Sequence, residues 1–441
     1  HPTMLQLYRA SILHFLSDPT KSSSTDASYE YWEDGLLVVK DGKVKAIGEY
    51  SEWIKEYEES KVIDYTGKLI LPGFVDTHIH FPQTEMFASY GAELLDWLNT
   101  YTFPTEKQFG NKEYAQKIAK FFLRQLLLQG TTTALVFGSV HKTSVEAFFE
   151  EAQKQSLRMI AGKVMMDRNA PAYLLDTPES SYQDSKALIE KWHGKDRLLY
   201  AVTPRFAPTS SKEQLAKAKQ LLEEFPEVYL HTHLSENREE LAWVNDLFPE
   251  ADNYLDVYDK AGLVRPKSVF AHSIYLSDSE WNTLHTHDCS VAFCPTSNLF
   301  LGSGLFNIQA AQKHRVRVGM GTDVGAGTSF SILETLQEAY KVNQLRKAFP
   351  EEEYAHEPLS ALKAFYLATL GGAEALHLEA FIGNFEKGKE ADFVVLDLAS
   401  SELLEFRLAQ CKSLEERLFV IQMLANDRTV AQTYILGQPA L

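Results

Sequence analysis

Residues 73 to 79 read GFVDTHI, a short apolar run followed at once by His80, and its counterparts downstream decide the fold. Comparable runs lie near 131 to 138 (TTTALVFG), 159 to 167 (MIAGKVMMD), 198 to 206 (LLYAVTPRF), 228 to 235 (VYLHTHLS), 268 to 276 (SVFAHSIYL), 290 to 297 (SVAFCPTS) and 316 to 323 (VRVGMGTD). The longer stretches between them have the apolar spacing of helices, which is how parallel strands joined by helical crossovers read. Eight such units predict an α/β fold, a (β/α)8 TIM-like barrel over 70 to 377, with an open doubly wound sheet as the alternative. In a barrel the chemistry sits at the C-terminal ends of the strands.

That is where the candidate residues fall. His78 and His80, two apart in an extended chain, leave the same face and make half of a metal site. The fifth run adds His233, the sixth His272, and the eighth ends Gly-Thr-Asp at Asp323. His78, His80, His233 and Asp323 form a donor set suited to zinc or another divalent transition metal, leaving room for a water whose pKa falls toward neutrality. Asp323 has the alternative role of a helix cap on the loop DVGAGTS. Glu236 lies where a general acid/base belongs, or is a solvated member of an acidic run with Glu239 and Glu240. His272 orients or deprotonates the water, or is a buried structural histidine. His231 also points inward but roughly 7 Å deeper, two residues back along the strand, and reads as packed and hydrogen-bonded. His285 and His287 follow the helix-start signal at Ser277, so they do not face each other and read as surface.

Composition bounds the rest. At 441 residues and 45% hydrophobic, the chain can bury a large core in more than one domain. Sixty acidic against 43 basic residues give a charge of −17, so neither nucleic acid nor a membrane is expected as a partner. No apolar stretch is long enough to span a bilayer, and no basic-then-apolar leader opens the chain. Three cysteines, Cys289, Cys294 and Cys411, are too few and too odd for a disulfide framework and fit a reducing cytoplasm. The chain opens on His1, and its first few residues are expected to be non-native. The flanks carry short strand-like pieces, EDGLLVVKDGKVKAIGE at 33 to 49 and IGNFEKGKEADFVVLD at 382 to 397, with turn signals at Asp41-Gly42 and Lys387-Gly388. They predict a small flanking β-sandwich domain built from 1 to 69 and 378 to 441. The polar stretch 21 to 28 is expected to be a mobile loop.

The ordered set PGFVDTHIH, HTHLSEN, VFAH and GMGTDVGAG resembles the amidohydrolase superfamily and, within it, the barrel-type guanine deaminases. FPQ at 81 to 83, LLDWLNTYTFPTE at 94 to 106, TPRF at 203 to 206, CPTSN at 294 to 298 and ATLGGAEAL at 368 to 376 extend the likeness over nearly the whole chain. The resemblance implies one Zn2+ per chain on His78, His80, His233 and Asp323. The fourth run has no lysine at its end, and Lys163 lies in the third run, structural or at the rim. It implies hydrolytic deamination of guanine to xanthine and ammonia. Glu236 would protonate the ring at N3, and His272 and Asp323 would manage the proton of a metal-activated water. Gln83 and Arg205 would hydrogen-bond the purine's polar edge, and Phe206 and Trp97 would cover its faces. The segment 81 to 110 is expected to cover the pocket. A cytoplasmic homodimer is implied as well. The rivals are another heterocycle deaminase or chlorohydrolase of the superfamily, taking a triazine or a pterin, and a metal-free barrel serving as a scaffold.

Overall fold

The structure is a computed structural model and describes residues 5 to 20, 27 to 349 and 356 to 441. The first four residues, expected to be non-native, and most of the stretch 21 to 28, expected to be a mobile loop, lie outside the described residues.

Eight parallel strands follow one another around a near-closed barrel: Phe74–His80, Thr131–Phe137, Arg158–Gly162, Leu198–Pro204, Tyr229–Leu234, Ser268–His272, Ser290–Phe293 and Arg317–Met320. Most are buried on both faces, which explains why they read as continuous apolar runs without alternation. The last strand lies beside the first, and the seam is drawn together by hydrogen bonds from His80 N to Val324 O, from Asp323 N to His78 O and from Thr77 Oγ1 to Met320 O, each 2.9 Å. At this seam a Cβ on Gly319 would lie 2.3 Å from Thr77 Cγ2, so only glycine permits the approach. The barrel expectation is met, and the open doubly wound sheet is set aside.

Two runs differ from their expected extent. The third breaks at Lys163 into Arg158–Gly162 and a two-residue piece, Val164–Met165, which pairs with the fourth strand. The seventh stops at Phe293, because Pro295 stands at the first turn of the helix Pro295–Phe300. Helix starts are marked as the sequence indicates: Ser277 and Glu280 form a reciprocal capping box, and Asn237 accepts from the N–H groups of Glu239 and Glu240.

The chain ends pair into a seven-stranded sheet in the order Gln438–Pro439, Val430–Ile435, Phe393–Leu396, Val62–Pro72, Leu5–Phe15, Tyr29–Lys40, Lys43–Glu49. The expected sandwich is realised as one hydrogen-bonded path, with register shifts between Ala10 and Ile12 and between Val38 and Val39 that bend it. Asp41 and Gly42, both at positive φ, make the tight hairpin turn foreseen for them. The carboxy-terminal flank also carries two helices, Glu402–Ala409 and Leu414–Leu424, whose apolar spacing the strand-like reading passed over. An ionic cluster ties the flank to the barrel. Arg158 grips Glu390 through two bonds of 2.7 and 2.6 Å, and Arg197 bonds both Glu390 (2.8 Å) and Asp392 (2.6 Å). Among the described residues no helix is long and apolar enough to cross a membrane.

Candidate active site

The strand ends bring His78, His80, His233, Glu236, His272 and Asp323 into one buried cluster. The ring atoms of His78, His80 and His233 lie within 4.8 Å of one another, as do those of His78 and His272 with the Asp323 carboxylate. Asp323 Oδ1 stands 3.1 Å from His78 Nε2 and 3.2 Å from His80 Nε2, and its Oδ2 accepts a 2.7 Å bond from Ser297. His233 donates from Nδ1 to the carbonyl of Arg205 at 2.6 Å, which leaves Nε2 bare and facing the cluster. His272 differs: its Nδ1 accepts from the Asn298 amide at 2.9 Å, so its proton resides on Nε2, which lies 3.3 Å from Glu236 Oε1 and 3.5 Å from Asp323 Oδ2 without a hydrogen bond to either. His272 therefore presents a donor, whereas His233 presents a lone pair.

Burial sets the charges. It lowers His80 to about 4 and His272 to about 3, and it holds His231 and His233 well below the ordinary imidazole range. For Asp323 burial acts upward, but the neighbouring His78, His80 and His272 outweigh it and keep the carboxyl ionised. Glu236 goes the other way. Burial, then the neighbouring carboxyls of Asp323 and Glu240, push its proton affinity well above that of a free carboxyl. Two carboxyls in one cavity are thus pushed in opposite directions, a pattern found where one accepts and the other delivers a proton.

His231 meets its expectation as a packed histidine, its Nε2 2.8 Å from His78 Nδ1. Lys163 is fully buried and paired with Asp176, away from the cluster, and His285 and His287 are exposed. Gln83, Arg205, Phe206 and Trp97 line the cavity with His80, His233, Glu236 and Asp323, and Leu94 and Leu98 complete its roof. Gln83 is held by Gly325 N–H at 2.9 Å on its oxygen, and its amide nitrogen lies 3.2 Å from His80 Nδ1. The enclosed space is about 20 Å3, room for roughly one water. A second cavity of about 140 Å3 lies across Leu98 and Phe206, and a cavity of about 520 Å3 near Arg317 and Lys363 shares none of the clustered residues.

Several contributors escaped the sequence reading. Glu106 forms a bidentate pair with Arg205. Ser297 and Asn298 steady Asp323 and His272, and Asp76 accepts from Thr322 Oγ1 at 2.6 Å and from His78 N at 3.2 Å. The stretches TFPTE, CPTSN and VDTHIH were in view, but only the fold shows which of their polar groups turn inward.

Eight parallel strands with this His and Asp cluster at their C-terminal ends define an amidohydrolase, and the family model described as "Amidohydrolase family" matches residues 69–440. The chain belongs to that family. It is 53% identical to the guanine deaminase of Escherichia coli over 98% of this chain and 97% of that one. The solved structure of the E. coli guanine deaminase matches with a TM-score of 0.94 at 52% identity, covering 99% of both chains. A guanine deaminase from C. acetobutylicum, solved with guanine in its active site, matches with a TM-score of 0.89 at 29% identity, covering 99% of this chain and 100% of that one.

Proposed function

We infer that the protein converts guanine and water to xanthine and ammonia. The likeness to the guanine deaminases supports the substrate, and one observation carries the chemistry: a protonated Glu236 and a donor-rich Arg205 face the same cavity as the three imidazoles and Asp323. The donor set fits a zinc ion, because His233 offers an unprotonated Nε2 and Asp323 is ionised between the two strand-one histidines. Held by His78, His80, His233 and Asp323, zinc would polarise a water and make it a nucleophile near neutral pH.

The protein's own groups do the rest. Glu236, neutral through burial, delivers a proton to N3 of the purine as the water oxygen adds at C2. Asp323, with the Nε2–H of His272 3.5 Å away, takes one proton of the water and passes it to the exocyclic amine, which leaves as ammonia, and the hydroxyl left at C2 returns its proton to Glu236 as the carbonyl of xanthine forms. Arg205 spends two of its five N–H donors on Glu106, so three remain for the carbonyl edge of guanine. Adenine carries a donor there, and a buried arginine facing a donor loses about 1 to 3 kcal/mol. Gln83 adds an amide to the same edge, while Phe206 and Trp97 flank the ring. These features oppose a triazine substrate, and the intact ligand set opposes a metal-free scaffold. A cytoplasmic homodimer belongs to the same reading, checked by fractionation and light scattering.

The deciding experiment incubates the purified zinc-loaded protein with guanine, adenine, cytosine and a triazine while ammonia is followed. Release from guanine far above the others is expected. Faster release from any other heterocycle overturns the assignment.

A further inference from the structure

Glu240 is fully buried in the first turn of the helix Arg238–Leu247, four residues beyond Glu236. A glutamate at this third helical position ordinarily reaches back to the N–H of its own cap residue. Glu240 reaches one residue further: its Oε1 accepts the backbone N–H of Glu236 at 3.2 Å. Among the described residues no cation pairs with it, and burial raises it to about 8. Its Oε2 is buried without a hydrogen-bond partner among the described residues, as is the nearby hydroxyl of Tyr254. Tyr254 packs on Tyr258, ring centroids 5.8 Å apart, and the Tyr258 hydroxyl donates to the carbonyl of His233 at 2.8 Å and accepts from Ala207 N–H at 2.9 Å. A buried carboxyl oxygen without a close bond costs on the order of 1 to 3 kcal/mol, which an alkyl side chain of the same size would avoid. Packing alone therefore does not account for a glutamate here.

We propose that Glu240 is a positioning residue for Glu236: its carboxyl holds the Glu236 backbone N–H from the first turn of the helix, and so fixes where the proton donor stands relative to the metal-binding histidine. The proposal rests on the reading of this site as a guanine deaminase. Ser235, just before Glu236, sits at φ 50°, a conformation that a non-glycine residue keeps only when its surroundings enforce it. Glu240 supplies part of that enforcement. The oxygen of an amide can accept the same N–H, so the conservative replacement should serve.

The test compares Glu240→Gln, Glu240→Ala and Glu240→Leu with the zinc-loaded parent, measuring kcat and KM on guanine, zinc content, melting temperature and hydrogen exchange at the Glu236 amide. Glu240→Ala should lower kcat by about 10- to 100-fold through misplacement of the donor, with KM within about twofold and zinc unchanged. Glu240→Gln should stay within about threefold of the parent, and the Glu236 amide should exchange freely only in the alanine and leucine variants. Wild-type kcat in Glu240→Ala, with only a lower melting temperature, reduces Glu240 to a structural residue and overturns the proposal. So does a glutamine variant as impaired as the alanine one. If Glu240→Ala does not fold, Glu240→Leu decides, since it fills the space without offering an acceptor to the Glu236 N–H, and unchanged kcat there overturns the proposal. Should the parent release no ammonia from guanine, the functional reading fails, while amide exchange in the variants still decides the role of Glu240.

Discussion

Arg205 and Glu106 meet as a buried bidentate pair, Nη1 to Oε1 at 2.8 Å and Nη2 to Oε2 at 3.0 Å, with each side chain 2% exposed. The pair joins the end of the fourth strand to the segment that roofs the cavity. Removing one partner of such a pair leaves a buried charge and costs about 3 to 5 kcal/mol. Arg205→Ala should therefore lower both the melting temperature and the preference for guanine over adenine. Combining it with Glu106→Ala should restore part of the stability but none of the preference, because the stranded carboxylate is gone while the recognition donors are still missing. Thermal melts with kcat/KM on both purines check this. A double variant that regains guanine selectivity would assign recognition elsewhere.

Replacing Glu236 by Gln keeps the shape and removes the proton. Turnover should fall by roughly 10²- to 10⁴-fold with zinc content and melting temperature near those of the parent. Near-normal turnover would move proton delivery to another group.

The eight strands were legible because a strand buried on both faces must be written as an apolar run, and the cluster was legible because each ligand closes such a run. Glu106 was not, because its role depends on a three-dimensional meeting with a residue 99 positions away. Glu240 was set aside as one of several solvated acids, since a surface helix and a buried first turn carry the same local pattern. The helices at 402 to 424 were missed for a different reason. The strand-like pieces beside them set the expectation for the whole flank.

Elemental analysis should find one zinc per chain, bound tightly enough that a chelator is needed to remove it. Stripping should abolish activity and lower the melting temperature, because a ligand at 1,000 times its Kd stabilises the fold by about 4 kcal/mol. Two metals per chain would contradict the single-ion site.

The cavity of about 20 Å3 is roofed by Leu94, Trp97 and Leu98, with a neighbouring space beyond Leu98 and Phe206, and we expect a purine to enter by displacing that roof. Binding of a guanine analogue should change tryptophan fluorescence in the parent, with Trp97→Phe losing most of the change while retaining affinity within about tenfold. An identical spectral change in both proteins would show that the roof stays in place.

Glu390 makes the link between flank and barrel dependent on pH. Burial works to raise its proton affinity, but the guanidinium groups of Arg158 and Arg197 outweigh it and leave the folded carboxyl below its ordinary 4.5. A carboxyl lowered in the fold contributes stability that is fully present above the unfolded value and is lost as pH falls through the folded one. The gap in unfolding free energy between the parent and Glu390→Gln should thus be constant from pH 7 to about 5 and should shrink below 4.5. At neutral pH it should be a few kcal/mol, up to about 3 to 5, since Arg158 loses its bidentate partner at a site where the Glu390 side chain is only 11% exposed. Urea titrations of both proteins at pH 7, 5, 4 and 3.5 give that gap directly. A gap that stays constant down to pH 3.5 would mean that Glu390 contributes through packing and not as an ion.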